Sequence, residues 1–132
     1  MATYQSILDA SIALLCEDAS NGDCEDYKTR AIYILATFST ECQSLDRRLR
    51  KSLGDNTDIG KIPAVVILSD NFPLSDAFIP AATYYLSAIL AIEENEALSE
   101  KFFELYTDAI ASIQASLPTT AETVVNRYVG TL

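Results

Sequence analysis

Residues 80–92 read Pro-Ala-Ala-Thr-Tyr-Tyr-Leu-Ser-Ala-Ile-Leu-Ala-Ile, with Thr83, Ser87 and two tyrosine hydroxyls as the only polar side-chain groups. A helix that is apolar nearly all round has no water-facing side and must be covered by neighbours, from this chain or from others. At 13 residues it falls short of the roughly 20 needed to span a bilayer, and no other apolar run comes closer, so a membrane protein is not expected. The preceding stretch, Leu68-Ser69-Asp70-Asn71-Phe72-Pro73-Leu74-Ser75-Asp76-Ala77-Phe78-Ile79-Pro80, is a loop punctuated by prolines. Pro80 has no N–H to donate and fits only the first turn, so the helix starts between Ser75 and Ile79, with Ser75 and Asp76 as candidate caps.

The flanking segments supply the cover. Tyr4, Ile7, Leu8, Ser11, Leu14 and Leu15 recur at helical spacing and predict a first helix over about 3–16. A turn cluster around Ser20-Asn21-Gly22-Asp23 precedes the clearest stripe, Tyr27, Ala31, Ile34, Leu35, Phe38, Cys42, Leu45, Leu49 and Leu53. These predict a second helix over about 25–53, stopped by Gly54 in a left-handed conformation. After Glu93-Glu94-Asn95, the residues Leu98, Phe102, Leu105, Ala109, Ile113 and Leu117 form one face of a further helix over about 96–116, ended by Pro118. The tight break at Asn95 makes the last two helices an antiparallel hairpin.

Helical periodicity vanishes over 55–75, where Gly60, Pro63 and Pro73 surround the β-branched run Val65-Val66-Ile67. A connection this long in a small domain is functional or disordered, and the apolar residues Ile59, Ile62, Val65, Val66, Ile67, Leu68 and Phe72 argue for packing. Two readings stand: the loop folds back over its own bundle, or it pairs with another subunit through a short β-strand at 64–68. The expected fold is all-α, a small four-helix bundle (1–117) with a long loop between helices two and three. A C-terminal arm (118–132) follows, extended or briefly helical around Val124, Val125, Arg127 and Tyr128, or else a last helix on the bundle.

A chain of 132 residues suits one domain. The formal net charge of −10 opposes general nucleic-acid binding, which requires a dominant positive field. Yet Arg47, Arg48, Arg50 and Lys51 crowd within five residues, and Lys61 follows. A helix C-terminus justifies one or two cations through its dipole; the surplus suits an acidic partner surface, a second copy of this chain included. The first residues carry no basic region followed by an apolar stretch and a cleavage site, so no secretory signal is expected. Cys16, Cys24 and Cys42 are odd in number and point to a reducing compartment, with Cys16 and Cys42 behaving as small hydrophobes.

Catalytic chemistry finds little footing. The absence of histidine excludes Ser-His-Asp and Cys-His mechanisms and histidine metal sites, and none of the four glycines has phosphate-loop spacing. Calcium-loop registers starting at Asp18 or Asp55 place Thr29 or Val66 where the closing bidentate Glu belongs. Glu93, Glu94, Glu96 and Glu100 are spaced like a solvated helix end. No inward carboxylate pair supports an Mg2+ enzyme, so a non-enzyme without cofactor or metal is expected.

The run over 68–86, followed by Ile92-Glu93-Glu94-Asn95-Glu96 and Phe102-Phe103-Glu104-Leu105-Tyr106, resembles the head-tail connector (adaptor, or head-completion) proteins of tailed bacteriophages. In that family a proline-bearing loop enters a small-residue helix, and an acidic break separates it from a last helix containing tyrosine. The resemblance spans about residues 27–128. It implies a structural virion subunit at the neck, held in the host cytoplasm before assembly, that forms a homo-oligomeric ring, a dodecamer in the family, beneath the portal protein. Such a ring extends the DNA channel without binding DNA specifically and offers a platform to the next neck or tail-completion protein. On that reading Arg47, Arg48, Arg50, Lys51, Lys61, Val65, Ile67 and Phe72 join subunits, and Val124, Val125, Arg127 and Tyr128 form an arm that docks on the portal. The alternative is an intracellular helical adaptor or regulatory module that binds one partner protein through the same apolar loop and has no virion role.

Overall fold

The computed structural model describes residues 2–15 and 23–118 and places four α-helices in them: α1 (Tyr4–Leu14), α2 (Asp23–Ser52), α3 (Ile79–Ala91) and α4 (Glu96–Ser116), with a 3-10 turn (Asp76–Phe78) leading into α3. The all-α bundle expected from the periodicity is what forms. Cys16, residues 20–22 of the turn cluster and the arm at Val124, Val125, Arg127 and Tyr128 lie outside the described residues, while Asp23 opens α2.

Helix α3 is the centre. Ala81, Ala82, Leu86, Ala88, Leu90 and Ala91 are buried, and so are both polar residues, Thr83 and Ser87. Helices α1, α2 and α4 all pack on α3, α4 most extensively. The hydroxyls buried on α3 and at its contacts with α1 and α4 are satisfied by backbone carbonyls. Thr83 donates to Ile79 O at 2.9 Å and Ser87 to Thr83 O at 2.8 Å. Ser11 of α1 reaches across to Thr83 O at 3.1 Å, and Ser99 of α4 to Ala88 O at 2.7 Å. Small residues at these crossings let backbones approach, and the hydroxyls exploit the proximity, because a buried O–H left without a partner costs about 1–3 kcal/mol.

Local chemistry sets the boundaries. Thr3 caps α1 in a reciprocal box: its hydroxyl accepts from Ser6 N, and the Ser6 hydroxyl accepts from Thr3 N, both at 3.1 Å. Gly54, at φ +81°, ends α2 while Gly54 N and Asp55 N return to the carbonyls of Lys51 and Arg50. That geometry is the left-handed stop the glycine predicts. Asn95 caps α4 by accepting from Leu98 N at 3.1 Å, closing the α3–α4 hairpin. Two stripe residues depart from expectation: Leu14 is 41% exposed and Leu53 is 76% exposed, while Ile12 is buried on α1 in Leu14's place. Leu14 is the last residue of α1 and Leu53 follows the last residue of α2.

An aromatic chain threads the core. Tyr4 meets Phe72 edge-on at 5.8 Å between ring centroids, and Phe72 stacks on Phe38 at 6.4 Å. Phe38 also touches Tyr85 at 5.6 Å and Tyr106 at 6.2 Å, so one fully buried ring links the long loop to α2, α3 and α4.

The 64–68 segment forms no strand. Among the described residues the β-type pairing is a single antiparallel bridge between Thr3 and Asn71. Val66 N instead donates to the α2 carbonyl of Ile32 at 3.2 Å, and a helix offers no continuous edge on which a strand can grow.

Candidate functional site

The long loop and the C-terminal turns of α2 hold the residues that the sequence marks for contact. The loop is pinned along its length rather than left free. Gln43 Nε2 donates to Gly60 O at 2.6 Å and Val66 N to Ile32 O at 3.2 Å. Gln5 N donates to Leu68 O at 2.8 Å, Tyr4 N to Asp70 O at 3.2 Å, and Phe72 N to Ala2 O at 2.8 Å. Ile62, Val66, Phe72 and Leu74 point inward and are buried. Of the two readings of the loop, its fold-back onto the bundle is what these residues do.

Its closing end is fixed by charge. Asp46 is 1% exposed on the inner face of α2. One carboxylate oxygen accepts from Ser75 N at 2.8 Å and Ser75 Oγ at 2.6 Å; the other pairs with Arg50 Nε at 2.8 Å. The Arg50 guanidinium continues to Pro73 O at 2.7 Å and to the Asp55 carboxylate at 3.7 Å. Ser75 stands at the start of the 3-10 turn, but its hydroxyl serves Asp46 and makes no cap bond, and Asp76 lies within the turn. Hydrogen bonds from Thr57 hold the exposed Asp55 carboxyl below its usual range, with a smaller pull from Arg50.

The side chains left outside are chemically bare. Val65 is 40% exposed and Ile67 63% exposed. They rim a groove of about 340 Å³ with Lys61, Ile59, Pro63 and Asp70. Arg47, Arg48 and Lys51 are exposed at the end of α2, where Arg48, Lys51 and Ser52 form a second groove of about 270 Å³ with Leu117 and Pro118. So Lys61, Val65 and Ile67 come together at one groove and Arg48 and Lys51 at another. Two residues expected at a subunit interface are placed elsewhere. Arg50 turns inward to neutralise Asp46, its side chain 17% exposed, and Phe72 is a core ring at 4%. Neither is offered to a partner on this surface.

No protein-family model, curated protein or solved structure matches this chain.

Asp46 is the functional-site residue that the sequence reading passed over. Its signal is positional: it falls one turn after Cys42, on the stripe that carries Phe38 and Cys42, and four residues before Arg50. A carboxylate on a core stripe implies a buried cationic partner. The other titratable cluster is Cys42, Tyr85 and Tyr106 beside Glu41. Burial, reinforced by Glu41 and Asp46, pushes the Cys42 thiol up to about 11, and burial pushes the Tyr106 hydroxyl up to about 12. A thiol held protonated is a poor nucleophile; Cys42 is packing. Among the described residues no group of three or more Cys, Asp or Glu is placed to hold a metal ion, and no helix is long and apolar enough to cross a membrane.

Proposed function

We propose that this chain is a structural assembly subunit of the head-tail connector type. In that role copies form a ring beneath a phage portal, extend its DNA channel, and join head to tail through protein contacts without catalysis. The observation that carries the reading is the long loop, whose backbone is tied into the bundle while Val65 and Ile67 face solvent. Holding apolar side chains outward on a pinned backbone costs less ordering entropy on association than a free loop would. The likeness of residues 68–106 to connector proteins supports the specific role, and so does the all-helical bundle around α3. The net charge of −10 suits a channel wall, since like charge removes the counterion-release gain that retains proteins on DNA.

In this reading Arg47, Arg48, Lys51, Lys61, Val65 and Ile67 serve contacts between subunits. The arm, residues 118–132 with Val124, Val125, Arg127 and Tyr128, reaches the portal. The deciding experiment mixes the full chain with portal rings from the phage genome that encodes it and examines the mixture by sedimentation and electron microscopy. The expected result is a stoichiometric ring added to one face of the portal. A chain that neither binds portal rings nor assembles at any concentration refutes the proposal.

A further inference from the structure

The two ends of the bundle are chemically opposite. At one end, the α3–α4 turn lies beside the first turns of α2: Tyr27 OH donates to Glu94 Oε2 at 3.4 Å, and Arg30 donates to Ile89 O at 3.3 Å. This turn presents Ile92, 50% exposed, followed by the exposed carboxylates Glu93, Glu94 and Glu96. The nearby cations are already engaged, Lys28 with Glu25 at 3.5 Å and Arg30 with Asp26 at 3.9 Å. At the other end, α2 and α4 finish together around the groove of about 270 Å³, whose apolar floor is Leu117 and Pro118 and whose wall is Arg48 and Lys51. Arg48 and Lys51 form no ion pair among the described residues. Asp55 and Asp58, which line a neighbouring groove with Arg47 and Lys51, already accept hydrogen bonds or pair, Asp55 with Arg50 and Thr57 N and Asp58 with Gly60 N at 2.9 Å.

An exposed apolar residue beside carboxylates at one end thus matches apolar residues beside cations at the other. The two cannot meet within one molecule. Helix α4 runs from the turn to the groove, and its 21 residues hold them about 30 Å apart. We infer that the Ile92-Glu93-Glu94 turn of one copy seats in the Arg48-Lys51-Leu117-Pro118 groove of a second copy. The contact is head-to-tail, because bringing two like ends together sets cations against cations or carboxylates against carboxylates. A heterologous contact of this kind propagates, and it closes into a ring when the rotation per step permits. The inference rests on the self-association within the connector reading and on no part of its portal or virion role.

The test uses the full chain alone, so portal binding does not enter it. Sedimentation velocity in roughly 50 mM and roughly 500 mM salt should show association that weakens as the Debye length contracts from about 14 Å to about 4 Å. The double variant Arg48→Glu with Lys51→Glu, and separately Glu93→Lys with Glu94→Lys, should each lose association at least tenfold, on the order of what two reversed exposed ion pairs carry. Circular dichroism establishes that each is folded. Mixing the two variants should restore assembly, because each reversed end then meets its complement. Ile92→Ser should weaken association equally at both salt concentrations, since it removes apolar contact and no charge. A wild-type chain that stays monomeric at low salt overturns the inference, as does a mixture that fails to reassemble. Association that appears only after residues 119–132 are removed also overturns it, by assigning the groove to the chain's own C-terminal segment.

Discussion

Asp46 and Arg50 stand one turn apart on α2 and meet at 2.8 Å between Oδ2 and Nε, yet the pair's main effect is exerted on residues far along the chain. The other Asp46 oxygen holds Ser75, and the far side of the Arg50 guanidinium holds Pro73, so one ion pair fastens the end of the loop to the helix where the loop begins. Removing one partner leaves the other poorly solvated, Asp46 more so than Arg50. Asp46→Ala and Arg50→Ala should each lower stability by about 3 kcal/mol, the lower end of what breaking a buried pair costs, because Arg50 keeps some solvent contact. The double variant should cost less than the sum of the two. Urea unfolding of the three proteins checks this, and strict additivity would show that the pair is not coupled.

Phe38 is the residue on which the helices and the loop jointly depend. It is fully buried and contacts Phe72, Tyr85 and Tyr106. Phe38→Ala should cost about 3–5 kcal/mol. It should also speed amide exchange in the loop residues around Phe72 more than in α4 around Ser99, which rests on its own bond to Ala88 O. Hydrogen exchange resolved by segment separates the two; uniform acceleration would mean the loop does not rely on that ring.

Alkaline pH should unfold the chain through its core. In the folded state Cys42 is raised from 9.0 to about 11 and Tyr106 from 10.0 to about 12, while Tyr85 and Tyr4 move in the same direction, all chiefly through burial. The unfolded chain therefore releases these protons first. Stability is fully present below about 9 and falls as the pH climbs toward 12, through the windows set by Cys42 and Tyr106. Urea midpoints measured across that range, with tyrosinate absorbance followed alongside, should decline together. A midpoint that stays flat would mean the thiol and hydroxyls titrate alike in both states.

The helices are legible in the sequence because they carry local signals: Gly54 and Pro118 as stops, the break at Asn95, and stripes at steps of three and four. The burial of α3 follows from its having no polar face. What periodicity hides is the loop, whose conformation depends on partners distant in sequence, such as Val66 with Ile32 and Gly60 with Gln43. Without those partners Val65-Val66-Ile67 reads as a strand. The cation cluster hides a similar division. Arg47, Arg48, Arg50 and Lys51 look alike in the sequence, but only Arg50 shares a helix face with Asp46, four residues before it, so one of the four is structural and the others stay at the surface.

The loop offers a clean separation of folding from recognition, because neighbouring apolar residues face opposite ways. Val65 and Ile67 are exposed, while Val66 between them is 4% exposed and Phe72 is equally buried. Val65→Ser combined with Ile67→Ser should shift stability by no more than about 0.5 kcal/mol, as surface changes do, and should abolish or strongly weaken contact with partner subunits. Val66→Ala should do the reverse, lowering stability by roughly 1–2 kcal/mol through lost burial while leaving the outer contact surface intact in the folded fraction. Thermal unfolding and a sedimentation assay of assembly, run on both variants, read the two effects independently. Unimpaired assembly in the Val65, Ile67 double variant would remove the loop from the interface and leave the charged ends of the bundle to join subunits by themselves.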